Sequence, residues 1–166
     1  MRSRRDPVDG IDFGVCKIFD LDEKAIEVAK RNTRLNDVTI QWHHANVFSF
    51  ICSEETRSAR WDVIVLDPPK LVSNNAERAR GQAKYRDLNA GATFLLKNNG
   101  LLLTSSCSGL VSEQDFLALL QRSAARVGRE LEILSITGPA PDHPFVTEFP
   151  EGRYLKAVLC AVRQVR

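Results

Sequence analysis

Short unbroken apolar runs alternate along this chain with longer segments whose apolar residues recur at helical spacing. Val63-Ile64-Val65-Leu66 and Leu101-Leu102-Leu103 each end in polar residues that cannot extend a strand. Such runs, lacking apolar/polar alternation, predict strands buried on both faces of a parallel sheet. Residues 15–19, ending at Asp20, predict an earlier strand. A helix should follow over about 22–35, with Asp22 and Glu23 at its positive end and Lys30, Arg31 and Arg34 at its negative end. Residues 38–42 predict a strand and 47–60 a loop or short helix. A helix is expected within 75–96, and Asn98-Asn99-Gly100 predicts a turn into the strand that ends near Thr104. Ser112-Glu113-Gln114-Asp115 has the Ser-x-x-acid pattern of a helix start, followed by a stripe of Phe116, Leu119, Leu120, Ser123, Ala124 and Val127 and a stop at Gly128. Residues 131–137 and 154–162 predict closing strands around a proline-rich loop, 138–152. Strands alternating with helices predict an α/β fold with a mostly parallel sheet.

Composition changes this picture little. At 166 residues and 43% hydrophobic, the chain has the length of one domain with a sizeable core. Its formal charge of +2 is too mild to argue for a polyanionic partner, but the distribution is uneven. Between Lys70 and Arg86 the bases Lys70, Arg78, Arg80, Lys84 and Arg86 stand against one acid, Glu77. A solvated helix face accounts for such a run, and its place directly after Asp67-Pro68-Pro69 favours a phosphate-contacting surface.

Cys16, Cys52, Cys107 and Cys160 are far apart and include no Cys-x-x-Cys pair, which argues against a zinc site or disulfide framework and for free thiols in a reducing cytoplasm. His43 and His44 are adjacent without a third metal ligand nearby. No apolar stretch approaches the ~20 residues needed to cross a bilayer, and Met-Arg-Ser-Arg-Arg lacks the apolar run of a secretory signal. No membrane partner is expected. Parallel sheets bind ligands beyond the carboxyl ends of their strands, so Asp67, Pro68, Pro69, Lys70 and Cys107 should meet along one sheet edge. A thiol beside a carboxylate, without metal-ligand spacing, points to covalent chemistry.

With Asp20 after an early strand, Asp67-Pro68-Pro69-Lys70 after a middle strand and Ser106-Cys107-Ser108-Gly109 after the next, the chain resembles class I S-adenosylmethionine-dependent methyltransferases. It most resembles the bacterial large-subunit ribosomal RNA cytosine-5 methyltransferases. The likeness covers residues 15–163 and includes Tyr85-Arg86-Asp87-Leu88-Asn89, Asp142-His143-Pro144 and Pro150-Glu151-Gly152-Arg153-Tyr154-Leu155-Lys156. It implies a Rossmann-like three-layer sandwich, mostly parallel with an antiparallel C-terminal strand. Residues 1–14 offer no apolar strand leading into the family's glycine-rich turn. The expected division is therefore an atypical segment, 1–14, and the C-terminal part of a methyltransferase domain, 15–166, with the first strand missing and room for another chain to complete the sheet.

The resemblance implies S-adenosylmethionine as cofactor, with Asp20 on the ribose hydroxyls, Asn46 and Val47 at the adenine, and Asp67 and Pro68 also near the cofactor. It implies a ribosomal RNA partner held by Lys70, Arg78, Arg80, Lys84 and Arg86. Carbon 5 of cytosine is a poor nucleophile until a thiolate adds at carbon 6, and a free cysteine carries a few per cent thiolate at neutral pH. Cys107 is the expected nucleophile, and Asp67 the group that hydrogen-bonds or protonates nitrogen 3. Cys16, Cys52 and Cys160 are expected to be small buried packing residues. His143 is a weak candidate for removing the carbon 5 proton and equally an exposed loop histidine. Two alternatives stay open: methylation of another nucleobase or small amine, and a shortened, inactive fold kept for binding.

Overall fold

A computed structural model describes residues 14–56, 60–149 and 152–165, with backbone alone at 52 and 54–56. The segment expected to be atypical, 1–14, lies outside these residues except for Gly14, as do Pro150 and Glu151 of the C-terminal motif. The chain forms two compact units that divide after Phe50.

In the first unit, strand β1 (Lys17–Asp20) leads through helix α1 (Glu23–Leu35) to strand β2 (Gln41–His44), and the two strands pair in parallel. Asp22 caps α1, its carboxylate accepting from the backbone N–H groups of Lys24 and Ala25 at 2.9 and 3.1 Å. Two of the helix's otherwise orphaned donors are satisfied in this way. α1 ends at Asn36, and Asp37 turns the chain with φ of +52°. β2 starts three residues later than the predicted 38–42, because Val38 is still bonded to the helix end through Thr33. Trp42 secures β2 to α1, its indole N–H donating to Thr33. Helix α2 (Val47–Thr56) follows, and the division after Phe50 falls within it.

The second unit holds strand β3 (Trp61–Leu66), helix α3 (Arg78–Leu95), strand β4 (Leu96–Ser106), helix α4 (Glu113–Arg126) and strands β5 (Arg129–Thr137) and β6 (Lys156–Gln164). Its sheet runs β3-β4-β6-β5, with β3 and β4 parallel and β6 antiparallel to both its neighbours. The expected α/β class, with parallel pairs and an antiparallel final strand, is observed. The Asn98-Asn99-Gly100 turn survives as an irregularity inside β4. Asn99 has φ of +66°, and the partners of Trp61 and Val63 on β4, Leu96 and Leu101, lie five residues apart.

Ser112 caps α4 through a complete capping box with Asp115, as the sequence pattern predicts. The stripe Phe116, Leu119, Leu120, Ser123 and Ala124 is buried, and Gly128 ends the segment at φ of +66°, a conformation glycine adopts without steric penalty. α3 and α4 pack together, against β3 and β4 and against β5 respectively. The core comprises Tyr85, Leu88, Leu95, Phe116, Leu120, Leu102, Val158 and Val162. Full burial of each large apolar side chain stabilises the fold by about 1.5–3 kcal/mol.

One expectation fails. β3 is not buried on both faces: Leu66 is buried, whereas Val63 and Val65 are 55% and 65% exposed. The helices of this unit pack on one face of the sheet, so the period-2 alternation of the strand shows in burial although it is absent from the residue types.

Candidate functional site

β3 and β4 run in parallel, so the loops leaving their carboxyl ends start side by side. Leu66 pairs with Thr104, which puts Asp67 next to the end of β4. Ser105 donates a hydrogen bond to the Asp67 carboxylate, joining the Asp67-Pro68-Pro69-Lys70 segment to the strand that delivers Cys107. Asp67, Pro69 and Lys70 are exposed and Pro68 is half-buried. α3 comes close to the same segment through Gly81, where a Cβ would lie 2.3 Å from the Leu71 carbonyl oxygen and 2.5 Å from Val72 Cγ2. Only glycine permits that approach.

Cys107 follows directly on β4 and is half-buried, between Ser106 and Ser108, which are fully buried. The Tyr85 hydroxyl lies 3.1 Å from Ser106 Oγ and 3.0 Å from Ser108 Oγ. Ser108 Oγ also accepts from the Val72 N–H at 3.2 Å. The network continues inward: Asn89 donates to the Tyr85 carbonyl and accepts from Thr104 Oγ1, each at 2.8 Å. Every polar group in this chain of contacts has a partner, as burial requires.

The far side of the cysteine loop is held by Lys156, the first residue of β6 and the register partner of Ser106. Its ammonium is buried and donates to the carbonyl oxygens of Ser108 at 2.8 Å and Val111 at 2.5 Å. Burial pushes its pKa down, opposed by Cys107, Asp115 and Glu113. Sequence reasoning gave Lys156, Ser105 and Tyr85 no role. A lysine opening the otherwise apolar Lys156-Ala157-Val158-Leu159-Cys160 run is the signal that could have singled it out. An open cleft of about 380 Å³ lies beside this loop, with Gly109, Ser112, Arg153 and Lys156 in its wall; neither Cys107 nor Asp67 lines it.

The other cysteines differ. Cys160 is buried on β6, as expected, and burial pushes its thiol up to about 11. Cys16 is exposed, contrary to the expected packing role, because it precedes β1 rather than lying within a covered element. The side chain of Cys52 lies outside the described residues. His143 is exposed, with Nδ1 3.2 Å from the Asp142 carboxylate.

The basic run does not form one stripe. Arg80 and Lys84 lie four residues apart on α3 and share a face, whereas Arg78 and Arg86 do not join them. Arg78 is engaged by Asp115 at 3.0 Å. Arg80, Lys84, Arg86 and Lys70 are exposed.

In the first unit, Asp20 ends β1 with its carboxylate exposed. Oδ1 accepts from the Asp22 N–H at 2.8 Å, and the other oxygen has no bond among the described residues. Asn46 is exposed and Val47 half-buried. The Asn46 side-chain oxygen accepts from the Phe48 N–H at 2.9 Å, capping the start of α2 and leaving its amide N–H₂ as a donor.

Among the described residues no group of three His, Cys, Asp or Glu side chains could hold a metal, and no helix is long and apolar enough to cross a membrane. No family model matches the chain. It is 38% identical over 143 residues to ribosomal RNA large subunit methyltransferase I of Tolumonas auensis, covering 84% of this chain and 36% of that protein. It is 34% identical over 146 residues to the Escherichia coli protein of the same name, covering 86% of this chain and 37% of that one. The chain thus spans well under half the length of these relatives. Among solved structures, a candidate S-adenosylmethionine-dependent methyltransferase from Streptococcus mutans superposes with a TM-score of 0.74 at 16% identity, covering 89% of this chain and 38% of that one. NSun6 from Pyrococcus horikoshii gives 0.63 at 15% identity, covering 92% and 42%.

Proposed function

With the Rossmann-like fold of class I methyltransferases as premise, we propose that this chain belongs to an S-adenosylmethionine-dependent enzyme that methylates carbon 5 of a cytosine in large-subunit ribosomal RNA. Its similarity to proteins named ribosomal RNA large subunit methyltransferase I supports the RNA and the methyl transfer. The base and the mechanism rest on one observation: a half-buried thiol, Cys107, leaves one parallel strand while Asp67 leaves its neighbour, and Ser105 joins the two segments. A transfer to a nitrogen needs no such thiol.

S-adenosylmethionine, when bound, supplies an electrophilic methyl group. In the first unit, Asp20 fits the ribose hydroxyls, since its carboxylate ends a parallel strand with one oxygen unengaged. Asn46 presents its amide N–H₂ to an acceptor on the adenine edge, and Val47 offers its backbone N–H. In the second unit, Pro68 keeps the Asp67 backbone extended for contact with the target base. The Cys107 thiolate adds to carbon 6 of the cytosine, which makes carbon 5 nucleophilic; carbon 5 then takes the methyl group. Asp67 meets the negative charge that develops at nitrogen 3 by delivering a proton there, its carboxyl acting as the donor because nitrogen 3 only accepts. Loss of the carbon 5 proton restores the double bond and expels Cys107 as thiolate.

A cytosine must leave its stack to meet a thiol, so the RNA is single-stranded or the nucleotide is flipped. Lys70, Arg80, Lys84 and Arg86 are exposed to hold flanking phosphates. Arg78, already paired with Asp115, contributes less.

Nucleoside mass spectrometry of large-subunit ribosomal RNA treated with the chain and S-adenosylmethionine tests this reading. It should reveal 5-methylcytosine with the unaltered chain and none with Cys107→Ala. Methylation by the alanine variant at the unaltered rate, or methyl on another base, would contradict it.

A further inference from the structure

Cys107 stands between two serines that are both buried and both bonded to the same group. Ser106 Oγ donates to the Tyr85 hydroxyl at 3.1 Å, and that hydroxyl shares a 3.0 Å hydrogen bond with Ser108 Oγ. Ser108 N–H in turn reaches Ser106 Oγ at 3.3 Å, closing the turn around the cysteine. An inward serine, a half-buried cysteine and an inward serine therefore follow one another, and rotating the cysteine inward would pull at least one serine from its partner. Ser108 also accepts from the Val72 N–H, three residues after Pro69. One hydroxyl thus lies at the junction of the cysteine loop and the Asp67-Pro68-Pro69 segment. Apolar packing does not require it: the Tyr85 ring is held edge-to-face by Phe116, with centroids 5.9 Å apart, and a phenylalanine would keep that contact.

We propose that Tyr85 is the positioning residue of this site, its hydroxyl pinning Ser106 and Ser108 inward so that the Cys107 thiol is aimed outward at the base. This inference rests on the reading of Cys107 as nucleophile. Tyr85 touches neither base nor cofactor; it acts through the two serines. Misplacing a reacting group by about 1 Å is enough to slow its chemistry by about a hundredfold.

The test is Tyr85→Phe, with Ser106→Ala as a second variant that removes one arm of the clamp. Two rates are measured: alkylation by iodoacetamide, resolved for each cysteine by mass spectrometry, and methyl transfer with its kcat and KM. In Tyr85→Phe, both hydrogen bonds to the serines are lost and the thiol is no longer held outward, so alkylation of Cys107 should fall about fivefold. Cys160 should stay as protected as in the unaltered chain. Methyl transfer should fall about tenfold or more in kcat, with the KM for S-adenosylmethionine unchanged. Ser106→Ala should move both rates in the same directions by less.

A merely structural role predicts something else, since general loosening would raise the alkylation of Cys160 and Cys107 together; that result overturns the proposal. So does an unchanged Cys107 rate in both variants. The underlying reading fails separately, through undiminished transfer by Cys107→Ala. Where the chain transfers no methyl to the RNA supplied, the alkylation pattern alone decides for or against the clamp.

Discussion

A buried ammonium is tolerated where its donors are taken up by acceptors, and Lys156 meets that condition with two backbone carbonyls. Lys156→Met keeps the volume and removes both bonds, leaving the Ser108 and Val111 oxygens without this donor. Denaturant unfolding should find the variant less stable by about 1–3 kcal/mol; an unchanged midpoint would mean that the loop holds itself. Asp20 invites a different measurement, because its carboxylate is exposed. Asp20→Ala should weaken S-adenosylmethionine binding at least about tenfold by calorimetry, since hydrogen bonds to a charged acceptor contribute about 1.5–3 kcal/mol each. Asp20→Asn, which can still accept from the Asp22 N–H, separates a lost ribose contact from a lost turn. Equal affinity in all three would remove Asp20 from the cofactor site. At this scale the sequence exposes residues whose type is unusual for their place, such as Asp67 and Cys107 at strand ends. It conceals Lys156, Ser105 and Tyr85, whose roles depend on partners 21 to 48 positions away in the chain.

Local rules decide element ends most firmly where a side chain closes the backbone upon itself. The Ser112–Asp115 box is legible because its donor and acceptor lie three residues apart, and it forms. Ser112→Ala should destabilise the fold by about 0.5–2 kcal/mol. The Ser112 bonds, followed by Arg78, hold the Asp115 carboxyl below its usual 3.8. A lowered carboxyl contributes stability that is complete above the unfolded value and lost as the pH falls through the folded one. Acid titration monitored by helicity should therefore show the unaltered chain losing more stability below pH 3.8 than Ser112→Ala does; parallel curves would contradict the capping account. Where the decisive partner is remote, boundaries move. β2 starts late because Val38 remains bound to Thr33, and the Asn98-Asn99-Gly100 turn is absorbed into β4 because both sides of it pair with β3.

For the molecule as a whole, alternating elements make the α/β class readable, whereas the order β3-β4-β6-β5 depends on tertiary pairing that no local pattern records. β6 has partners on both edges, as does β4; among the described residues β1, β2, β3 and β5 have one each. Amide hydrogen exchange should accordingly be slowest in β4 and β6 and faster in β3. Equal protection of β3 would mean that its second edge is also paired, and would revise the account of the sheet. The central claim is that Cys107 bonds to cytosine during methyl transfer. The most direct test uses large-subunit ribosomal RNA carrying 5-fluorocytidine, incubated with the chain and S-adenosylmethionine: fluorine cannot leave carbon 5 as the proton does, so the adduct persists. Peptide mass spectrometry should then find a cytidine fixed to Cys107. A nucleotide fixed to another residue, or 5-methylcytosine formed in ordinary RNA while no adduct accumulates on its fluorinated counterpart, would contradict it.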